Sequence, residues 1–343
     1  MYEHVSTLHE PHSDRKSTYS TVKVSPNGQC VAIPQDTHIL IYDITNDHAP
    51  PPPATRIVTN HTLPISDVCW SPDGECIATA SDDHTVEIVH VTMYGILHIL
   101  TGHTAPVVTL CYNSKGNLLF TGSMDESVKT WDVLNGKCLR TISAHSDSVV
   151  SLTLPHCDDS VMASGSYDGL VRIFDTQTGH CLSTLTYDKD WKHSGRVVPI
   201  TQLEFSLNGK FLLVKSLDGA VKLWDCIRGV VVRTFVNRQD DNNSNDATNE
   251  WRGKFSGGMA IGYIDPPETH SNGIVISGDS NGYISCWDTH TKRLLQKMDT
   301  EQRNPIMDMC TVRNKLAVIT RDGRCDIYKW GAEQKCDEPS KNI

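Results

Sequence analysis

Residues 107–142 show the pattern that organises the whole chain. Val107 to Ser114 (VVTLCYNS) alternates with period two, as a half-buried strand does. Lys115-Gly116-Asn117 breaks it, and Leu118 to Ser123 follows as a nearly continuous run of apolar and small residues, suited to a strand covered on both faces. A polar turn at Met124-Asp125-Glu126-Ser127 leads into a third strand, Val128 to Val133. Asn135-Gly136 is a strong hairpin signal because both central positions of such a turn need positive φ, and Lys137 to Ile142 completes a fourth strand. The pattern predicts four short strands joined in order by tight turns, which pair antiparallel.

The same order of strands recurs, with turn signals at Pro26-Asn27-Gly28, Pro72-Asp73-Gly74, Leu207-Asn208-Gly209 and Asp322-Gly323. The third strand of each unit closes on an aromatic residue followed by Asp, or a degraded form of that pair: Tyr42-Asp43, Val89-His90, Trp131-Asp132, Phe174-Asp175, Trp224-Asp225, Trp287-Asp288 and Tyr328-Lys329. Six residues before each stands an acid or its amide: Asp36, Asp83, Asp125, Asp168, Asp218, Asn281 and Asp322. A period of about 40–45 residues with four strands per unit is the register of the WD40 repeat. The expected fold is all-β, a seven-bladed WD40 β-propeller forming one domain over residues 1–330. The first repeat opens at Thr21 to Ser25 and the last runs out of chain after Trp330, so an outer strand is left over at the front and missing at the back. A segment near residues 3–9, around Val5-Ser6-Thr7-Leu8, is expected to complete the last blade and close the ring, leaving no open sheet edge there. Ala49 to Pro53 (APPPP) reads as a stiff polyproline connection, 237–254 as a flexible inserted loop, and 331–343 as a disordered C-terminal tail.

Composition narrows the function. No stretch reaches the 18 or so apolar residues that cross a bilayer, and the polar N-terminal residues lack a signal-peptide core. The formal charge of −10 disfavours binding of phosphate backbones by the bulk surface and suits a basic partner such as a histone tail. The 12 cysteines are scattered, without a Cys-x-x-Cys pair, and most fall inside apolar strand patterns. They read as buried thiols in a reducing compartment, cytosol or nucleus. Candidate chemistry exists in the sets His103, Thr121 or Ser123, Asp125 and Trp131, with His61 and His145 ahead of the neighbouring repeats. A catalytic triad is built once, with an exposed nucleophile and an oxyanion hole. A set that recurs repeat after repeat is explained by a hydrogen-bond network between strands. Metal-binding His spacings and phosphate-cradling glycine loops are lacking, so no catalytic residue, metal or cofactor is expected. Binding is left, and Trp191 within Tyr187 to Arg196 (YDKDWKHSGR) is a candidate interface anchor.

Longer runs carry a more specific resemblance. Ile65 to Asp83 (ISDVCWSPDGECIATASDD), Gly122 to Asp147 (GSMDESVKTWDVLNGKCLRTISAHSD), Ser166 to Leu185 (SYDGLVRIFDTQTGHCLSTL) and Ser216 to Asp225 (SLDGAVKLWD) resemble the WD-repeat-protein-five family. The likeness covers Thr21 to Trp330 and is strongest to the fungal branch, the small WD40 subunits of COMPASS, a histone H3 lysine-4 methyltransferase complex. It implies a nuclear, non-catalytic scaffold that holds a SET-domain methyltransferase subunit and a second WD40 subunit together, alongside other COMPASS subunits. Histone or nucleosome contact would then be indirect, with no membrane and no direct sequence-specific nucleic acid involved. In animal members a partner arginine sits at the channel mouth between two phenylalanines. Val108 and Gly258 stand at those places here, while Ser66, Asp67, Asp82, Met124 and Tyr167 match other mouth positions. On the opposite face, between blades five and six, Asn208, Phe211 and Leu223 match the groove for the second WD40 subunit, and His290 replaces a Gln. Phe211 and Leu223 also read as core positions. The alternative is a WD40 adaptor of another assembly, such as a ubiquitin-ligase substrate receptor or a coat scaffold.

Overall fold

The computed structural model describes residues 1–8, 20–45, 54–156, 158–186, 197–206, 208–235, 261–264, 273–300 and 303–330. The APPPP connection, the segment with Trp191, the 237–254 loop, Gly258 and the 331–343 tail lie outside the described residues.

Seven four-stranded antiparallel sheets carry the described strands, and in six of them neighbours in sequence are neighbours in space. Blade one is β2 (Lys23–Val24), β3 (Cys30–Gln35), β4 (His38–Asp43) and β5 (Thr55–Val58). Blade two is β6 (Ile65–Trp70), β7 (Cys76–Ser81), β8 (Thr85–His90) and β9 (Ile96–Thr101). Blade three is β10 (Val107–Tyr112), β11 (Leu118–Ser123), β12 (Ser127–Asp132) and β13 (Lys137–Ser143). Blade four is β14 (Val149–Thr153), β15 (Val161–Ser166), β16 (Leu170–Asp175) and β17 (Cys181–Thr186). Blade five is β18 (Ile200–Phe205), β19 (Phe211–Ser216), β20 (Val221–Asp225) and β21 (Val230–Phe235). Blade six is β22 (Ile261–Ile264), β23 (Ile274–Gly278), β24 (Tyr283–Asp288) and β25 (Leu294–Asp299). Blade seven takes β26 (Ile306–Val312), β27 (Lys315–Thr320) and β28 (Cys325–Trp330), and its outer strand is β1 (Tyr2–Leu8).

The closure expected from the leftover strand is therefore present. β1 pairs antiparallel with β28, from Tyr2 opposite Trp330 to Leu8 opposite Cys325. The Tyr2 ring meets Trp330 edge-on with centroids 4.9 Å apart. The Thr7 hydroxyl donates to Asp326 Oδ1 at 2.7 Å, and Arg324 Nε donates to the same oxygen at 3.0 Å. Asp326 is buried, so both donors offset the cost of keeping its charge from water.

Burial follows the pleat. The second strand of each blade is covered on both faces, as the continuous apolar runs predicted. Outer strands expose alternate residues. The core lies between blades: Ala78, Val86, Ile88 and Leu100 of blade two pack on Val107, Leu110, Tyr112, Leu119 and Trp131 of blade three. Two expectations need adjusting. The innermost strand of blade one is only Lys23–Val24 instead of Thr21 to Ser25, because the Thr21 hydroxyl and Val22 amide donate to Asp308 Oδ2 at 2.5 and 3.2 Å. The cysteines are not uniformly buried: Cys286 and Cys325 are, while Cys138 and Cys181 sit exposed on outer strands. All ten described cysteines are free thiols.

Candidate functional site

The recurrent histidine sets resolve into one structural device used in blades two to four. His103 Nδ1 lies 2.7 Å from Asp125 Oδ2 and its Nε2 lies 2.7 Å from Thr121 Oγ1, which also accepts from Trp131 Nε1 at 2.9 Å. His61 bridges Asp83 and Thr79 at 3.0 and 2.9 Å, and His145 bridges Asp168 and Ser164 at 2.9 and 2.7 Å. Ser123 is not the hydroxyl of the set; it donates instead to the Ala105 and Pro106 carbonyls. The three histidine side chains are 0%, 1% and 0% exposed, which leaves no room for a substrate against them. Burial raises the Asp125 carboxyl, but hydrogen bonds from Ser127, His103 and the Thr104 amide outweigh it and hold it at about 2. Burial pushes His103 below its usual value, against the pull of Asp125. In blades two to four an imidazole bonded at both nitrogens ties the loop ahead of the blade to its second strand and to the turn beyond.

Meander geometry places the expected binding residues on two faces. Turns between second and third strands share one end of the blades with the start of each innermost strand. Turns between first and second, and between third and fourth, lie at the other end. Asp82, Met124 and Tyr167 occupy equivalent places on the first face: their amides donate to Pro64, Pro106 and Ser148 carbonyls at 3.1, 2.9 and 3.2 Å. Ser66 and Val108 are the extra residues of bulges where the first strands pair with the second, between Ile65 and Asp67 and between Val107 and Thr109. A bulge re-aims a side chain at these two positions. Ser66 Oγ donates to the Val107 carbonyl of the next blade and to the Ala80 carbonyl at 3.1 Å, so Ser66 and the Val107–Val108 strand meet. Met124 and Tyr167 are exposed. Asp67 is committed differently: its carboxylate accepts from the Val68 amide at 2.9 Å and from Leu110 of blade three at 3.1 Å. Ser151 and Asp308 do the same toward Leu203 and Val22, so this position staples successive innermost strands. Burial pushes the Asp67 carboxyl up to about 6, despite the nearby Lys23. Lys23 pairs with Asp308 at 2.9 Å, and Asp308 with Asp67 holds its ammonium above the usual value against the cost of burial.

The second face carries the other set. Leu223 is core, and half-buried Phe211 packs on a cluster of Leu213, Val221, Leu223, Phe235, Val275 and Trp287 that joins blades five and six. Asn208 Oδ1 accepts from Ser206 Oγ at 2.7 Å and from the Lys210 amide at 3.0 Å. Asn27 and Asp73 hold the same turn in blades one and two. His290 is exposed, its amide bonded to Asp288 Oδ1 at 2.7 Å. The same turns bring Lys210, Arg228, Lys292 and Arg293 to the surface, with Ile227 85% exposed between them in sequence. These are exposed cations in a chain of net charge −10, with Arg228 Nε 3.8 Å from Asp225 Oδ2 in its own turn.

Comparison with known proteins bears on this arrangement in two ways. The model for "WD domain, G-beta repeat" matches residues 53–89, 95–132, 136–175 and 179–225. The COMPASS component SWD3 of Saccharomyces cerevisiae is 50% identical over 311 residues, covering 90% of this chain and 94% of the yeast protein. The chain belongs to the WD-repeat family, in the group that contains SWD3. Each matched WD repeat spans the outer strand of one blade and the three inner strands of the next, as 95–132 spans β9 to β12. That offset is why the WD-repeat ring closes on a strand from the opposite chain end.

Sequence reading missed the inter-blade staple at Asp67, the Thr21–Lys23–Asp308 cluster and a buried lysine, Lys215. The signal for the staple was present as a polar residue at one position of several innermost strands, Asp67, Thr109, Ser151, Gln202 and Asp308, but its partner is a backbone amide, which no side-chain motif reveals.

Proposed function

We propose that this chain is a non-catalytic scaffold subunit of a COMPASS-type histone H3 lysine-4 methyltransferase complex, acting in the nucleus. Its likeness to SWD3 along nearly the full length of both chains carries the reading. Its task is to hold a SET-domain subunit and a second WD40 subunit in a fixed relation, with histone contact left to them. The buried, thrice-repeated histidine networks favour a structural role over chemistry. The blade five–six groove is the preferred seat for the second WD40 subunit, since Phe211 offers apolar surface and the exposed cations Lys210, Arg228, Lys292 and Arg293 suit an acidic segment of the partner. The channel mouth, with Val108 in place of one clamp phenylalanine, contributes hydrogen bonding and charge from Ser66, Asp82 and Tyr167 without stacking, and binds an arginine-bearing segment more weakly.

The test is capture of the two partners by purified chain and by a Lys292→Glu/Arg293→Glu variant. The variant should lose about tenfold in affinity for the second WD40 subunit, chiefly in association rate and most at low salt. Purified chain should transfer no methyl group to histone H3 on its own. Capture of a cullin adaptor or a coat component in place of a SET-domain protein would replace this reading with the adaptor one.

A further inference from the structure

Blade five carries a residue out of pattern. On the second strands of blades two, three, four and six, Ala80, Gly122, Gly165 and Gly278 stand opposite Val86, Val128, Val171 and Ile284. Blade five has Lys215 there, opposite Val221. Small residues are favoured because the next blade comes close: a Cβ on Gly122, Gly165 or Gly278 would stand 2.8, 2.9 or 2.7 Å from Val149, Ile200 or Ile306. Lys215 is nonetheless 1% exposed. Its Nζ crosses into blade six, donating to Ser277 Oγ at 3.0 Å and to the Gly278 carbonyl at 2.6 Å.

Ser277 occupies the register of Thr79, Thr121 and Ser164, the hydroxyls that histidines hold in blades two to four. The sequence between Phe235 and Ile261, which leads into blade six, contains no histidine. The amine of the preceding blade takes that partner instead. We propose that Lys215 is the pin of the blade five–six seam, standing in for the missing histidine, and that the seam loosens when this amine takes up a proton.

An uncharged amine has two N–H bonds, enough for both acceptors. The ammonium keeps those bonds but brings a charge into a place shut off from water. Burial holds the amine at about 7, and Asp279, next to Gly278, is the carboxylate that favours the ammonium. Among the described residues, Glu204 on β18, Lys222 on β20 and Asp218 in the turn after β19 are the other charged groups on the elements flanking β19 in its sheet, and all three are partly or fully exposed. The sign follows from linkage. The opened seam exposes the amine and binds a proton up to its ordinary value near 10.4, whereas the closed seam binds one only below about 7. Opening is therefore easiest at low pH and becomes harder as pH rises through that window. The pin belongs to the isolated chain, whether or not the neighbouring groove carries a partner.

Hydrogen–deuterium exchange of the full chain tests this. Protection of β19 and β23, corrected for intrinsic exchange and referenced to β11, should rise about tenfold to a hundredfold from about pH 6 to about pH 9. Lys215→Met should remove that rise, and Lys215→Arg, charged throughout, should stay at the low-protection level. A flat profile in the unmodified chain, or an unchanged rise in Lys215→Met, would overturn the proposal. If neither variant folds, the slope of the unmodified chain against blade three decides alone.

Discussion

At the scale of single residues, the polar groups inside this ring act in pairs that span elements, and removing one member leaves its partner buried and unbonded. Asp125 is the clearest case, since it accepts from His103, from the Thr104 amide and from Ser127. Asp125→Ala should cost about 2–4 kcal/mol of stability, read as a lower midpoint in urea with an unchanged slope. The pH dependence has a definite sign. The folded Asp125 carboxyl sits at about 2, below its unfolded value near 3.9, so its contribution is complete above pH 4 and lost as pH falls through about 2. His103 is held below its unfolded value near 6.5. The unfolded chain therefore takes up a proton first, and stability starts to fall as pH drops below about 6.5. Thermal melts should show both losses, and Asp125→Ala should show a smaller acid loss, with Asp83 and Asp168, whose carboxyls are also held low, supplying the remainder. A variant that melts as the parent does at every pH would contradict the network account.

At the scale of elements, two features decide how the sheet edges are handled. The ring is fastened by one strand, β1, whose Leu8 is 1% exposed and packs with Val31, Leu40, Ala317 and Ile327. Removing residues 1–8 should expose the whole edge of β28 and its buried Asp326. The predicted outcome is loss of cooperative unfolding or aggregation, checked by gel filtration and calorimetry. An unaltered melting transition would show that the fastening is dispensable. The outer strands of blades two, three, four and six each carry a bulge at an exposed leucine, Leu97, Leu139, Leu182 and Leu295, which bends the free edge away from regular pairing. Much of this level was legible in the chain. Glycine turns and fully apolar runs such as Leu118 to Ser123 fix strand order and burial through local physics. The closing strand followed from counting strands against repeats. The bulges, the Asp67 staple and Lys215 were not legible, because each depends on what the next blade presents at that height. Among the expected site residues, Asn208 and Leu223 match a binding groove in sequence but are also what a blade needs for its turn and core, and one chain cannot separate those demands.

At the scale of the whole molecule, the ring presents two ends, each built from one set of turns. One carries Asp82, Asp83, Asp125, Glu126, Asp147 and Asp168 on its loops and turns. The other carries exposed Lys210, Arg228, Lys292 and Arg293 on turns of blades five and six. This second end also holds carboxylates in the same turns, Asp225 paired with Arg228 at 3.8 Å and Asp288 bonded to the amides of its own turn. Its exposed cations are therefore local features beside the seam and do not make that whole face basic. Histidine networks cross-link blades two to four internally, while blades five and six are joined by the Lys215 hydrogen bonds and apolar packing. The measurement that bears most directly on this account is native mass spectrometry of the assembly isolated with the tagged full chain. The account predicts a discrete complex holding one copy of this chain with a SET-domain methyltransferase and a second WD40 protein. A discrete complex without a SET-domain protein, or a chain recovered alone under conditions that preserve such assemblies, would contradict it.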